Sequence, residues 1–149
     1  MKISKNDKLY PSILKHIKNP PKYLYCNGNI NLLESPGIAI IGSRVCTNYG
    51  KRIAIEFSKG LSEYGITIVS GMAKGIDSFA HNGALEAGGN TIAVIPCGFN
   101  NIYPKENKDL YEKILENNGL IITEYEENEE ADSKKFLERN RIVSGLTIG

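Results

Sequence analysis

Arginine is scarce in this chain: four residues, Arg44, Arg52, Arg139 and Arg141, stand against fourteen lysines. Three of the four lie in short Gly/Ser/Asn-containing segments, Arg44 in Gly42-Ser43-Arg44 and Arg139 and Arg141 on either side of Asn140. The guanidinium is a planar fork of donors that grips a phosphate at two oxygens, which an ammonium cannot do. Arginine placed there, in a composition that otherwise prefers lysine, points either to a phosphate-bearing ligand or to a structural ion pair with Asp77 or Glu124. The two uses are compatible, and the expectation is that one arginine of the last segment serves each.

A second stretch, Ser70-Gly71-Met72-Ala73-Lys74-Gly75, opens a helix with small residues and one lysine. Such loops offer free backbone N–H groups and a helix dipole to an anion. Lys74 and Arg44 would add charge, and Ser43 and Ser70 hydroxyls. Acid–base candidates are few. His16 lies in the N-terminal part, and His81 lies off the apolar stripe of its helix and reads as surface or structural. Asp77 falls in a first helical turn and reads as a cap or loop brace. Cys97 follows a strand, where nucleophiles often sit, but no histidine is near it in sequence.

The elements that must position these residues alternate. Gly37–Gly42, GIAIIG, is an apolar run bounded by glycines, which predicts a strand buried on both faces. A helix is expected over 51–64, with Ile53, Ala54, Phe57, Leu61 and Tyr64 as its inner stripe and Gly65 as its stop. Strand 66–70 follows, then a helix whose stripe of Ile76, Phe79, Ala80, Gly83, Ala84 and Ala87 is mostly small enough to lie close to a sheet. Strand 91–96, a helix over 107–117, strand 119–125 and a last helix ending near Gly145 complete the pattern. Strand–helix alternation of this kind predicts a doubly wound α/β fold with a mostly parallel sheet. Residues 1–36, with the turn signals Asn19-Pro20-Pro21 and Asn27-Gly28-Asn29, read as an extension packed on a main domain of residues 37–149. In such folds ligands bind beyond the carboxyl ends of the strands, at the switch in strand order.

Composition limits the alternatives. The chain has 149 residues, 41% apolar and 23% charged, as an ordinary globular domain has. No run of about 18 apolar residues exists to span a membrane, and the N-terminus lacks an apolar signal core, so the expected location is the cytoplasm. The three cysteines, Cys26, Cys46 and Cys97, have no metal-binding spacing and read as free thiols. Net charge is only +1, but residues 1–80 carry eleven basic against five acidic side chains, and 81–149 seven against twelve. The acid is concentrated in EYEENEEAD, Glu124–Asp132, which reads as a solvated loop. The loops contain neither GxGxxG nor GxxxxGK[ST], which argues against a dinucleotide fingerprint and a Walker-type site. From the residues alone, the site reads as one for a phosphate-bearing ligand, mononucleotide or polynucleotide, with no cofactor or metal implied.

Taken together, GIAIIGSR, YGKRIA, VSGMAKGIDSFAHNGALEAGGNTIAVIPCG, IYPKEN and FLERNRIVSGL resemble the DNA-processing protein A family, also called Smf. The likeness includes the lead-in PPKYLYCNGN and covers nearly the whole chain. The resemblance implies an extended Rossmann domain that binds single-stranded DNA without sequence preference during natural transformation, protects it, and helps load a RecA-type recombinase, without enzymatic turnover. By position, it implies that Arg44 contacts phosphate and that Ser70, Gly71 and Gly75 hold one through the loop backbone. Arg139, Asn140 and Arg141 would close the pocket, and Phe136 would stack on a base. The family usually has proline where this chain has Leu137. Its members also continue past Ser144-Gly145-Leu146 with a further strand and helices, so the resemblance implies a truncated product, a fragment or a naturally shortened member, with family dimerisation and recombinase contact depending on the part that follows.

A rival class is a nucleotide-processing enzyme of the phosphoribohydrolase group, which shares the layout. That group carries PGGxGTxxE. The nearest segment here, PCGFNNIYPKEN, lacks the double glycine, the threonine and the correctly spaced glutamate, so hydrolysis is not expected.

Overall fold

The computed structural model describes all 149 residues. Six strands form one sheet: β1 (Lys2–Ser4), β2 (Tyr23–Gly28), β3 (Gly37–Ala39), β4 (Thr67–Ser70), β5 (Thr91–Val94) and β6 (Leu120–Thr123). Their spatial order is β1-β2-β6-β5-β4-β3. Strands β3 to β6 run parallel, while β2 pairs antiparallel with β6, and β1 with β2. The helices are α1 (Asn48–Glu63), α2 (Ile76–Glu86), α3 (Lys108–Glu116) and α4 (Ser133–Gly145). No helix is long and apolar enough to cross a membrane.

The strands are apolar on both sides because both sides are covered. Val69, Ile92, Val94, Leu120 and Ile122 point to one face and pack with Ile142 and Val143 of α4 and with Leu146 just after it. Ile68 meets Ala80 and Ala84 of α2 on the other face, and Ala93 and Ile121 meet Leu110 and Ile114 of α3. The crossovers through α1, α2 and α3 step one strand at a time and keep their helices on one side, as right-handed connections require. Only α4 crosses to the opposite face, and it returns the chain to the outer side of β3. There the Ile148 N–H donates to the Gly37 carbonyl at 3.0 Å and the Ala39 N–H to the Gly149 carbonyl at 2.9 Å. The direction of winding therefore reverses at β3.

Residues 1–36 do more than pack on the body. They supply β1 and β2 to the sheet, and Ile3, Tyr10, Leu14, Leu24, Leu32 and Leu33 to its largest apolar cluster.

Three expectations need correction. The strand at 37–42 is only three residues long, and Ile41 is 64% exposed, because β3 has a full partner, β4, on one side only. Helix α1 starts at Asn48, where the Thr47 hydroxyl caps it by accepting from the Gly50 N–H at 3.0 Å. Its inner face is Ala54 and Ser58, while Phe57 is 62% exposed and Tyr64 is exposed. The apolar spacing fitted a helix, but a small-residue contact chose its face. A Cβ at Gly83 would lie 2.8 Å from the Ile55 carbonyl and the Ser58 side chain. The small stripe of α2 thus lets α1 approach as well as the sheet.

His81 lies in the core rather than at the surface and is fully buried. Its Nδ1 is 2.7 Å from the Thr91 hydroxyl, which donates to the Ile68 carbonyl at 2.7 Å. The hydroxyl's proton is thereby committed, so Nδ1 carries the hydrogen and the ring is neutral. Burial, with Arg139 nearby, pushes the imidazole pKa down to about 3. The unfolded chain takes up a proton near pH 6.5 that the folded chain refuses until about pH 3, so stability falls as pH drops through that window. Going from pH 7.5 to pH 5 is expected to cost about 2 kcal/mol through this residue. His81→Leu is expected to remove that increment in urea denaturation at the two pH values.

Candidate functional site

Four loops meet at the carboxyl edge of the parallel strands: 40–47 after β3, 71–75 after β4, 95–107 after β5 and 124–132 after β6. A single carboxylate joins the first two. Asp77, in the first turn of α2, accepts the Gly42 N–H on Oδ1 at 3.3 Å and the Gly71 N–H on Oδ2 at 3.1 Å. Burial raises its pKa, and Arg139 and the amides oppose that rise. Arg139 enters from α4, only 6% exposed, and its Nη1 donates to the carbonyls of Gly71 at 2.8 Å and Val94 at 3.0 Å. Its Nε donates to Asn140 Oδ1 at 3.1 Å. A Cβ at Gly71 would lie 2.6 Å from that guanidinium and 2.9 Å from Asp77, so glycine is required there by space. At Gly75, with φ of +78°, a Cβ would run into the Ser43 carbonyl and come within 2.6 Å of the Arg44 carbonyl. The two loops touch at that point, and the Ile76 N–H donates to the Ser43 carbonyl at 3.1 Å.

Above this framework lies a cavity of about 330 Å³ lined by Arg44, Gly71, Ala73, Lys74, Pro96, Tyr103, Pro104, Lys105, Glu106 and Phe136. Arg44 is exposed, and its Cζ lies 4.8 Å from the centre of the Phe136 ring. Arg139 Cζ is 5.8 Å from the same ring, and the Tyr103 ring meets it edge-on at 5.4 Å with a 68° interplanar angle. Lys74 forms an exposed ion pair with Glu106 at 3.6 Å. The backbone N–H groups of Ser43, Arg44, Lys74 and Gly75 donate to no atom of the chain. Asn107 holds the third loop down, donating from Nδ2 to the Met72 carbonyl at 2.7 Å and to the Ser78 hydroxyl at 2.8 Å. The assembly presents cations, an aromatic ring and free amide donors to one opening, which suits a phosphodiester carrying a base.

The structure sorts the residues expected to form this site. Arg44, Gly71, Lys74 and Phe136 line the cavity. Gly42, Arg139 and Asn140 line an adjoining recess with Arg44 and Asp77. Ser70 does not face a ligand, because its hydroxyl is turned to the Ile40 carbonyl at 2.6 Å. The Ser43 hydroxyl closes on its own loop, donating to the Val45 carbonyl at 2.6 Å. Gly75 is a packing position between loops.

Arg141 stands elsewhere. Its Nη1 pairs with Glu124 Oε2 at 2.7 Å and its Nε donates to the Asn19 carbonyl at 2.9 Å. Both arginines of Arg139-Asn140-Arg141 are therefore braces, where one was expected to remain free for the ligand. The seventh and ninth residues of α4 face different neighbours, and both neighbours offer acceptors. The acidic loop is likewise more than a solvated run. The Gly98 N–H donates to the Glu129 carbonyl at 2.9 Å and the Asn100 N–H to the Glu127 carbonyl at 2.8 Å, which fixes the loop after β5. Tyr103, Lys105 and Asn107 were not singled out in the sequence. The segment IYPKEN carries no motif with a mechanism, so only its place in the fold reveals them. Cys97 is buried with its thiol pKa raised by burial, and His81 is buried too, so neither is poised as a nucleophile or base at the opening.

Fold and opening together define an extended Rossmann-type domain with a cation-lined cleft at its carboxyl edge. Residues 2–149 match the family model described as DNA recombination-mediator protein A, and the chain belongs to that family. It is 43% identical over 143 residues to DNA processing protein DprA of Streptococcus pneumoniae, covering 96% of this chain and 50% of that protein. It is 40% identical over 149 residues to Protein Smf of Synechocystis, covering 97% of this chain and 37% of that one. The chain thus spans half or less of the length of these curated relatives. The X-ray structure of the S. pneumoniae protein superposes with a TM-score of 0.92 at 40% identity, over 99% of this chain and 51% of that one. A structure of DNA processing protein A from Helicobacter pylori, described by its single-stranded DNA binding mode, superposes with a TM-score of 0.85 at 38% identity, over 99% and 65% of the two chains.

The two kinds of arginine predict opposite mutational signatures. Arg139→Met leaves the buried carbonyls of Gly71 and Val94 without their donor and removes the positive charge near buried Asp77, and is expected to cost about 2–4 kcal/mol. Arg44→Ala, at an exposed side chain, is expected to change stability by less than about 0.5 kcal/mol. Urea denaturation of the two variants beside the unaltered chain measures the contrast.

Proposed function

We propose that this chain binds single-stranded DNA without sequence preference, through the cleft lined by Arg44, Lys74, Lys105 and Phe136. The observation that carries the reading is the exposed Arg44 guanidinium lying over the Phe136 ring at the mouth of a cavity lined by two lysines. A single strand offers both things such a site can hold, a phosphate for the cations and a base face for the ring, and stacking is indifferent to base identity. A duplex keeps its bases stacked inside and offers only phosphates. Family membership and the H. pylori relative's described binding mode support the same ligand. The role follows as capture and protection of single strands in DNA processing and transformation, without turnover. The titratable groups near the cleft fit that role, since Asp77 is occupied by two backbone amides, with the buried Arg139 charge nearby. Family membership alone supports a RecA-type recombinase and a second copy of the chain as partners, and the cytoplasm as the compartment.

The test is fluorescence anisotropy with a labelled oligo-dT of about 30 nucleotides at two salt concentrations. The single strand is expected to bind better than a duplex of equal length, and affinity to fall with salt as counterions are released. Arg44→Ala is expected to weaken binding roughly tenfold, the size of one lost charge-assisted phosphate contact. Arg141→Ala is expected to leave affinity within about twofold, because Arg141 is committed to Glu124 outside the cleft. Incubation with nucleoside monophosphates is expected to release no free base. A folded chain that ignores oligo-dT would sink the proposal.

A further inference from the structure

Tyr103 is a partition between two openings. On its far side lies a second cavity of about 680 Å³, whose lining includes Phe99, Asn100, Tyr103, Lys105, Lys108 and Glu130. The two cavities share Tyr103 and Lys105, so they lie side by side along the loop after β5. We infer that the second cavity is a subsite for the neighbouring nucleotide of the same strand: Lys105 and Lys108 flank its phosphate, and Tyr103 with Phe99 holds its base. This rests on the single-stranded DNA reading and assigns the next step of the strand's path.

Three observations carry it. The first is charge. Lys105 and Lys108 stand at the N-terminal end of α3, where the helix dipole favours carboxylates, and neither is in an ion pair. Two cations gathered at the positive end of a helix repel it and each other, and an anion between them relieves both. One carboxylate, Glu130, faces them across the cavity, which leaves the wall net positive.

The second is aromatic placement. Tyr103 is 41% exposed although its ring edge rests on Phe136, so ring surface remains open. With Phe136 on the first side, the partition puts two rings in succession across the two cavities, an arrangement on which successive bases of a single strand can stack.

The third is rigidity in a loop that would otherwise move. Asn100 Nδ2 donates to Asn128 Oδ1 at 2.9 Å and Asn101 Nδ2 to the Asn128 carbonyl at 2.7 Å, while the Asn100 N–H donates to the Glu127 carbonyl at 2.8 Å. The acidic loop thus fixes the cavity's floor before a ligand arrives, which lowers the ordering cost of binding.

Lys108 and Tyr103 test the inference, because Lys108 lines only the second cavity and is exposed, so its replacement leaves the fold intact. Oligo-dT binding is measured by anisotropy across a salt series for the unaltered chain, Arg44→Ala, Lys108→Glu and Tyr103→Ala. Lys108→Glu is expected to lower affinity and to reduce the magnitude of the slope of log affinity against log salt by about 0.7, the value of one single-strand phosphate contact. Tyr103→Ala is expected to lower affinity at least about fivefold, the lower end of one lost base stack, with the slope unchanged. A purely structural role for either residue would not divide the two readouts in this way. If Arg44→Ala weakens binding while Lys108→Glu and Tyr103→Ala both leave affinity and slope unchanged, the second subsite is overturned and the first stands. If the unaltered chain binds no oligo-dT, both are overturned.

Discussion

The cleft depends on one buried contact set: the Asp77 carboxylate shared by the Gly42 and Gly71 amides, with Arg139 bonded to the carbonyls of Gly71 and Val94. These groups come from five places in the chain, the ends of β3, β4 and β5, the first turn of α2 and the middle of α4. Each loop has polar backbone with no ladder partner at the strand end, and such groups are costly to bury unpaired. Asp77 satisfies two donors, and Arg139 satisfies two acceptors. The arrangement needs a rigid, always-charged fork at residue 139, which lysine cannot supply. It also needs glycine at 71, where any Cβ would collide with both partners.

That framework explains which positive charge is free. Arg139 is committed to backbone carbonyls, and burial lowers its pKa despite Asp77. Arg44 also acts on it, as a like charge that opposes ionisation. The Phe136 ring lies between these two guanidiniums, 4.8 Å from one and 5.8 Å from the other. A π face softens the repulsion by offering negative potential to each. It does not neutralise them, and Lys74 is paired only by an exposed carboxylate of its own wall. A phosphate entering this opening therefore meets an uncompensated field, whereas the chain as a whole is nearly neutral. Net charge was a poor guide here because most of the N-terminal lysines lie away from the cleft, and the acidic run is spent on shaping the loop after β5.

Much of the fold was legible from period and punctuation. The runs at 66–70, 91–96 and 119–125 were apolar without alternation, and they are the strands buried on both faces. Gly65 marks the end of α1 by ordinary stop chemistry, whereas the caps Thr47 and Asp132 emerge only from the structure. What failed was any inference that needed to know the neighbour. Phe57 fits the apolar stripe of α1 by spacing, yet α1 meets α2 through Ser58 and Gly83, so the large ring is turned outward. His81 read as surface or structural, and the sequence could not choose between the two because no single-residue pattern reveals that Thr91, ten positions on, stands beside it with a free lone pair. Arg141 lies two residues beyond Arg139, roughly 200° around the helix, so the two could not share one pocket.

The same limit explains why Tyr103 and Lys105 went unread while Arg44 did not; Phe136 was placed only by the family resemblance. Arg44 sits in a glycine-flanked turn directly after a strand, where composition alone implies an exposed donor at a helix entrance. Tyr103 and Lys105 sit in a long irregular connection whose course is set from outside, by Asn107 reaching to Met72 and Ser78 and by Glu127 and Glu129 bonding Gly98 and Asn100. A loop held by its neighbours carries no periodic or motif signature of its own. It also needs no motif to be rigid, since each anchor removes conformational freedom that a ligand would otherwise have to remove. The part of the cleft least visible in the sequence is therefore firmly held by the fold. A groove that follows a polymer by shape and charge has little need of a local signature, because its walls belong to several loops at once.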